Sequence, residues 1–402
     1  MVDRADLVIR NALLRGRDGQ VSVVVDDGRI AALSDTPVAG ETEVDAGGCL
    51  VTESFVDAHL HLDKVHTRDR IGDVAANAYT AAGMGGAMTA IELAAEVKRD
   101  YSQEDVYRNA RRALLDGVRH GVLHVQAFAD VDPTIGLNGV RALMRLQAEF
   151  GDLVDIRVVA FPQDGLLRRP GTEALVEQAV SEGADTVGGI PWIELTDADA
   201  AEHTRLMCEL AARTGCRVAM LVDDAGDPTL RTTEMLAVEL RRLGLTGRGV
   251  ACHARAMSLW PEPYFRRIVE LSRRCGLGFV ADPHTGPLHL RAFDLIDAGI
   301  PVALGQDDIA DAYYPFGRHN MLEVAFLAAH LMEARDDRGL NRLYDMVTVL
   351  AAQVLGLDDH RVVVGAPANL VVLRAASVRE ALAGHEPPNY VVSIGRIVAR
   401  AD

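Results

Sequence analysis

Cys49-Leu-Val-Thr-Glu-Ser-Phe-Val-Asp-Ala-His59-Leu-His61-Leu-Asp-Lys64 is an apolar run that ends in two histidines one residue apart and then in charge. It reads as a buried strand. Residues two apart on a strand project the same way, so both imidazoles lie on one face and can share one metal ion. Asp63 and Lys64 fit a polar rim better than a core. Lys64 there is a candidate substrate contact, balances a carboxylate such as Asp63 or Asp307, or is an exposed rim lysine. The pair alone also reads as two hydrogen-bonded core histidines, and the rest of the chain bears on that choice.

Further runs of similar character alternate with amphipathic segments. The strand candidates after the first are 121–128, 154–161, 185–190, 217–222, 249–253, 278–281 and 301–305, with helical patterns over 104–115, 172–180, 198–212, 231–243 and 264–274. Eight strands in a βα rhythm predict an α/β fold, a (β/α)₈ TIM barrel, with an open doubly wound sheet as the runner-up. No glycine-rich dinucleotide fingerprint supports the runner-up. The two ends break the rhythm. Runs at 6–14, 21–25, 29–33, 368–373 and 390–399 read as short strands, and Val25-Asp-Asp-Gly-Arg-Ile30 is a hairpin signal. The expected division is a small β-sandwich-like domain from 1–54 plus 360–402 and a barrel over 55–359.

Composition limits the functions available. The chain has 402 residues, 49% of them apolar, and a formal net charge of −17, which disfavours nucleic acid and anionic membrane as partners. No apolar run is long enough for a membrane span, and the N-terminus has no signal pattern. Five scattered cysteines without a Cys-x-x-Cys pair suit a reducing cytoplasm. The expected partner is a small-molecule substrate, and the chain is compatible with a homo-oligomer.

In a barrel, chemistry sits where the strands end. Those ends carry His59, His61 and Lys64; Gln126 and Asp130; Gln163; Trp192; Asp223 and Asp224; His253; Asp282 and His284; and Gln306, Asp307 and Asp308. A His-x-His, a histidine on the sixth strand and an aspartate on the eighth can converge on one metal-bound water and acidify it into a nucleophile. Trp192, Tyr313 and Tyr314 read as walls for a planar ligand. His124, His284, His289 and Cys252 read as structural.

At this point the chain resembles the amidohydrolase superfamily, in its cytosine deaminase and N-isopropylammelide hydrolase branch. The resemblance rests on Phe55-Val-Asp-Ala-His-Leu-His-Leu-Asp-Lys64, Val159-Ala-Phe-Pro-Gln-Asp-Gly165, residues 183–191, residues 305–317 with Asn320-Met-Leu, and Gly365-Ala-Pro-Ala-Asn-Leu370. It implies hydrolysis of a C–N bond, by deamination or amide or amidine hydrolysis, in a small nitrogen-rich ring. His59, His61 and Asp307 match ligands of one divalent ion, zinc or iron. His253 matches the histidine on the hydrolytic water, and Gln163 and Asp308 match substrate contacts. Two stretches depart from the pattern. On strand two, where relatives often read Arg-Thr-His-Val-Asp-Val, this chain has Gln126-Ala-Phe-Ala-Asp-Val131. Where the family usually has His-Val-Asp-Glu on strand five, this chain has Leu221-Val-Asp-Asp224. The metal histidine has become leucine, and the proton-moving glutamate has become the shorter Asp224. Three readings stay open: a hydrolase with metal retained, a metal-independent lyase, isomerase or cyclase reusing the pocket, and a ligand-binding pseudoenzyme.

Overall fold

The structure is a computed structural model that describes residues 4–71, residue 95 and residues 98–401. Residues 72–94, 96 and 97 of the expected barrel segment lie outside that set.

Eight parallel strands form one sheet in strict chain order: β6 (Phe55–Leu60), β7 (Val122–Asp130), β8 (Asp155–Phe161), β9 (Thr186–Gly189), β10 (Arg217–Val222), β11 (Gly249–His253), β12 (Gly278–Ala281) and β13 (Val302–Leu304). The β-branched runs make them strands, and burial on both faces suits such continuous apolar sequence. The first strand meets the last at one point. His61 N–H donates to Asp307 O and Asp307 N–H donates to His59 O, both at 2.8 Å, which closes the ring. The residues that close the barrel are therefore the residues singled out for chemistry, so the site and the seam are one place.

Helices α1 (Gln103–Arg119), α2 (Asn138–Phe150), α3 (Thr172–Glu182), α4 (Asp197–Thr214), α5 (Thr232–Arg242), α6 (Glu262–Cys275) and α7 (Ala292–Asp297) separate consecutive strands from β7 to β13 or precede β7. Their starts follow from local chemistry. Ser102 and Thr196 accept from the N–H groups of Asp105 and Asp199 and cap α1 and α4. Asp223 caps α5 from the preceding loop, accepting from Thr232 N–H at 2.7 Å and Thr233 N–H at 3.0 Å. After β13 come α8 (Met321–Leu331), α9 (Asp337–Asp345) and α10 (Val349–Leu355), with α8 capped by Asn320.

The barrel interior is packed with Val56, Ala58, Phe128, Val159, Phe161, Leu221, Cys252, Val280 and Ala303, and a larger apolar layer lies between strands and helices. Cys252 is in that interior, where burial pushes its thiol well up.

The chain ends build two more four-stranded sheets, β3-β2-β1-β4 and β16-β15-β14-β5. The first comprises β1 (Ala5–Leu13), β2 (Gln20–Asp26), β3 (Arg29–Ser34) and β4 (Gly40–Asp45). In the second, β5 (Val51–Glu53) from the N-terminal side pairs antiparallel with β14 (Leu370–Val372), which continues into β15 (Tyr390–Ser393) and β16 (Arg396–Arg400). One apolar cluster joins them, with Ile9, Val23, Val25 and Ile30 against Ala368, Leu370 and Val392. The β2–β3 turn has Asp27 and Gly28 at φ 48° and 71°, the left-handed pair that a two-residue hairpin needs. Among the described residues no helix is long and apolar enough to cross a membrane.

Candidate active site

At the C-terminal mouth of the barrel, a cavity is lined by His61, Gln163, Ile190, Trp192, Leu221, Asp224, His253, Arg255, His284, Thr285, Asp307, Asp308 and Tyr313.

Its floor is set by the seam. His59 Nε2 lies 3.0 Å and His61 Nε2 3.5 Å from the same oxygen, Oδ1 of Asp307. Phe128 packs on both rings and Phe161 on His61, so neither imidazole can swing away. His253 and Asp307 hold φ of 66° and 59°. Left-handed backbone is costly for residues with a Cβ and persists where the surroundings enforce it, commonly at functional sites.

Burial decides the charge states here. It pulls His59 down to about 3 and puts His61 and His253 well below the ordinary imidazole range, so all three are neutral with lone pairs available. It pushes Asp307 up to about 7, and burial together with Asp307 pushes Asp308 up to about 8. Asp282 is raised well above the carboxylate range by burial and then by Asp307.

On the β10 side, Leu221 stands in register with Cys252 and offers the cavity only methyl groups. Asp224 hydrogen-bonds the Arg255 guanidinium through Nε and lies 3.7 Å from His253 Nδ1. Burial raises Asp224 despite Arg255 beside it. On the β12 and β13 side, His284 Nε2 is 3.7 Å from Asp307 Oδ2 and 3.6 Å from Asp308 Oδ2, and the ring of Tyr314 packs on its imidazole.

The opposite wall is held from behind. Lys64 is buried and does not line the cavity. It donates to Gln163 Oε1 at 2.7 Å and pairs with Asp130 at 3.1 Å, and Lys98 bridges Asp130 at 2.6 Å and Asp164 at 3.1 Å. Burial alone would lower both lysines, but Asp130 carries them above their ordinary range, so both stay charged. With Oε1 accepting from Lys64, Gln163, which lines the cavity, keeps its NH₂ as a donor. Glu194 fixes the neighbouring loops. Its carboxylate accepts from the N–H groups of Leu166 (2.7 Å), Leu167 (3.1 Å) and Arg168 (3.1 Å) and from His203 Nδ1 (2.8 Å), while His203 Nε2 accepts from Ile190 N–H. The loops that carry Gln163 and Trp192 are thereby tied to each other. Trp192 Nε1 and Tyr313 Oη are buried without a hydrogen-bond partner and are available to a ligand.

A divalent cation fits this floor. Two neutral imidazole nitrogens converge on one carboxylate oxygen at separations expected of atoms sharing one ion, about 3.0–3.5 Å for bonds of about 2.0–2.2 Å. Both ring nitrogens of His253 and both oxygens of Asp282 are buried without a hydrogen bond. Such a nitrogen and oxygen set at the mouth of a closed barrel, with the histidine pair on its first strand, decides the kinship. The chain belongs to the amidohydrolase family. That family's sequence pattern matches residues 98–399. N-isopropylammelide isopropyl amidohydrolase of Pseudomonas sp. (strain ADP) is 29% identical over 98% of this chain and 97% of its own length. Among solved structures, 5-methylcytosine deaminase from Klebsiella pneumoniae liganded with 5-fluorocytosine superposes with a TM-score of 0.89 at 28% identity, covering 98% of each chain. N-isopropylammelide isopropylaminohydrolase from Burkholderia multivorans ATCC 17616 gives 0.84 at 25% identity, again over 98% of each.

Within this amidohydrolase fold, the residues expected at the site from sequence are brought together: His59, His61, Gln163, Trp192, Asp224, His253, Asp307, Asp308 and Tyr313 all lie at the one cavity or its floor. Two expectations need correction. Lys64 is not a rim lysine and does not contact the cavity; the carboxylate it balances is chiefly Asp130, with Asp63 adding to the same field. It is buried against Asp130 and acts on the cavity through Gln163. His284, read as structural, lines the cavity. Arg255, Lys98, Glu194 and His203 were not singled out at all. Arg255 follows the strand-six histidine by two residues, which was a usable signal, whereas Lys98, Glu194 and His203 meet partners remote in sequence.

Proposed function

We propose that this amidohydrolase cleaves a C–N bond, by deamination or by amide or amidine hydrolysis, in a small, planar, nitrogen-rich ring. The observation that carries the reading is the convergence of His59 Nε2 and His61 Nε2 on Asp307 Oδ1 beneath a cavity walled by Trp192 and Tyr313. The activities named for the relatives support a nitrogen-ring substrate.

His59, His61 and Asp307 would hold one divalent ion, zinc or iron, and such an ion would supply Lewis acidity that lowers the pKa of water. His253, whose Nδ1 lies 3.7 Å from Asp224 and 3.2 Å from Asp282, orients the attacking water and stabilises charge developing on oxygen. Asp224 carries the proton from that water to the leaving nitrogen, and Arg255 holds its shorter side chain in place. The Gln163 NH₂ donates to an acceptor on the ring edge and Asp308 takes a ring N–H, while Trp192 and Tyr313 cover the ring.

The test is release of ammonia or amine from a panel of aminopyrimidines, aminotriazines, pterins and cyclic amidines, with zinc- and iron-loaded protein. Turnover that is lost on chelation and restored by metal supports the reading. A loaded, folded protein that turns over none of the panel counts against it.

One observation favours a second reading. Leu221 removes a donor and Asp224 is tied to a guanidinium, which suits metal-independent lyase, isomerase or cyclase chemistry. Substrate loss that is indifferent to chelation and incorporates no oxygen from labelled water distinguishes it.

A further inference from the structure

The floor of the cavity contains a buried carboxylate with no hydrogen bond. Asp282 directly follows β12, its side chain is 0% exposed, and neither oxygen has a hydrogen-bond partner. His253 Nδ1 lies 3.2 Å from Oδ2 without hydrogen-bond geometry, and both of its ring nitrogens are unpartnered too. A buried carboxyl group without a hydrogen bond either stays protonated or, as an anion, is compensated by a paired cation or a metal ion. Arg255 is engaged elsewhere, with Asp224 and the carbonyl of Thr285.

Three further observations point the same way. One donor atom each from His59, His253, Asp282 and Asp307 lie within 4.8 Å of one another, all four residues buried. Gly305 leaves the space that this requires, since a Cβ built there would sit 2.3 Å from Asp282 Oδ1 and 2.7 Å from His59 Cβ. And β10, whose end faces the same floor, presents Leu221, which has no lone pair.

We propose that Asp282 is a metal ligand in this chain, filling from β12 the coordination position that no side chain of β10 can fill. Asp282 then joins His59 and Asp307 in the shell, the three having donor atoms within 4.8 Å of one another and of His253, and His61 adjoins it through Asp307 Oδ1, 3.5 Å away. Carboxylate in place of imidazole adds a negative charge to the shell. This inference rests on the metal-dependent reading of the site.

The experiment compares wild type, Asp282→Ala, Leu221→His and the double variant as full-length chains. Zinc affinity is read by chelator competition, and the ligand field by the visible absorption of the cobalt(II)-substituted protein. Asp282→Ala should weaken zinc by more than about 100-fold, beyond the roughly 10–100-fold that loss of a supporting hydrogen bond costs, and should change the cobalt bands. Leu221→His in the Asp282→Ala background should restore much of the affinity. Zinc binding and cobalt spectra unchanged in Asp282→Ala, with wild type holding its ion, would overturn the proposal and leave the metal reading standing. A folded wild type that binds no divalent metal would overturn both. If Asp282→Ala does not fold, Asp282→Asn keeps the shape and removes the charge. It should still weaken zinc and shift the cobalt bands, and its failure to do either overturns the proposal.

Discussion

Glu194 illustrates how much of this site is made by residues that never face the cavity. Burial alone would raise its pKa, but His203 and the backbone N–H groups of Leu167 and Leu166 hold it below the ordinary range, so it is an ionised hub for two loops. Glu194→Ala removes the acceptor of three backbone N–H groups and of His203 Nδ1. At about 1–3 kcal/mol for a buried unsatisfied donor, and with water reaching some of them, a destabilisation of roughly 2–4 kcal/mol follows. Because Gln163 and Trp192 ride on the tied loops, KM should rise more than kcat falls. Steady-state kinetics on any turned-over substrate checks this, and an unchanged KM in a folded variant contradicts it. Asp224 is predicted to behave differently. Asp224→Asn keeps the shape next to Arg255 but removes the proton carrier, and should lower kcat by about 10²–10⁴ with little change in KM.

Gly117 shows a local rule reversed by its neighbour. It lies within α1, and in an exposed helix Gly→Ala stabilises by about 1 kcal/mol. Here a Cβ would lie 2.3 Å from Nδ1 of His319, which bonds Ala113 O at 3.0 Å and pairs with Asp57 at 3.1 Å on β6. Asp57 also accepts from the N–H groups of His59 and Gln306, so the clash reaches the seam of the barrel. Gly117→Ala should therefore destabilise by about 1–3 kcal/mol, the usual cost of overpacking. Denaturant midpoints check the sign, and a higher midpoint contradicts the packing argument. The eight barrel strands were legible because doubly buried parallel strands are written as continuous β-branched runs. β4 was not, since Gly40-Glu-Thr-Glu-Val-Asp45 is largely exposed and alternates too little to stand out. The strand-end residues were legible as positions, but the ion pairs of Lys64 and Lys98 were not, because they are made only when the barrel closes.

At the scale of the whole molecule, Ser54 lies between terminal strand β5 and barrel strand β6, and its carbonyl accepts from His360 Nε2 at 2.8 Å. Burial pulls His360 down to about 3. Unfolded, it takes a proton near 6.5, so its contribution to stability is complete above that pH and is lost as the pH falls from 6.5 toward 3. His360→Gln keeps a donor without the titration. Between pH 7 and pH 4 its melting temperature should fall less steeply than that of the parent chain, and parallel curves contradict the assignment. The molecule's central feature is the buried histidine and carboxylate floor at the barrel seam, and elemental analysis of the purified, folded protein after growth with zinc, iron and manganese tests it most directly. The account predicts one tightly held divalent ion per chain, removed by chelation and lost in His59→Ala. A folded protein that stays empty after metal supply contradicts it.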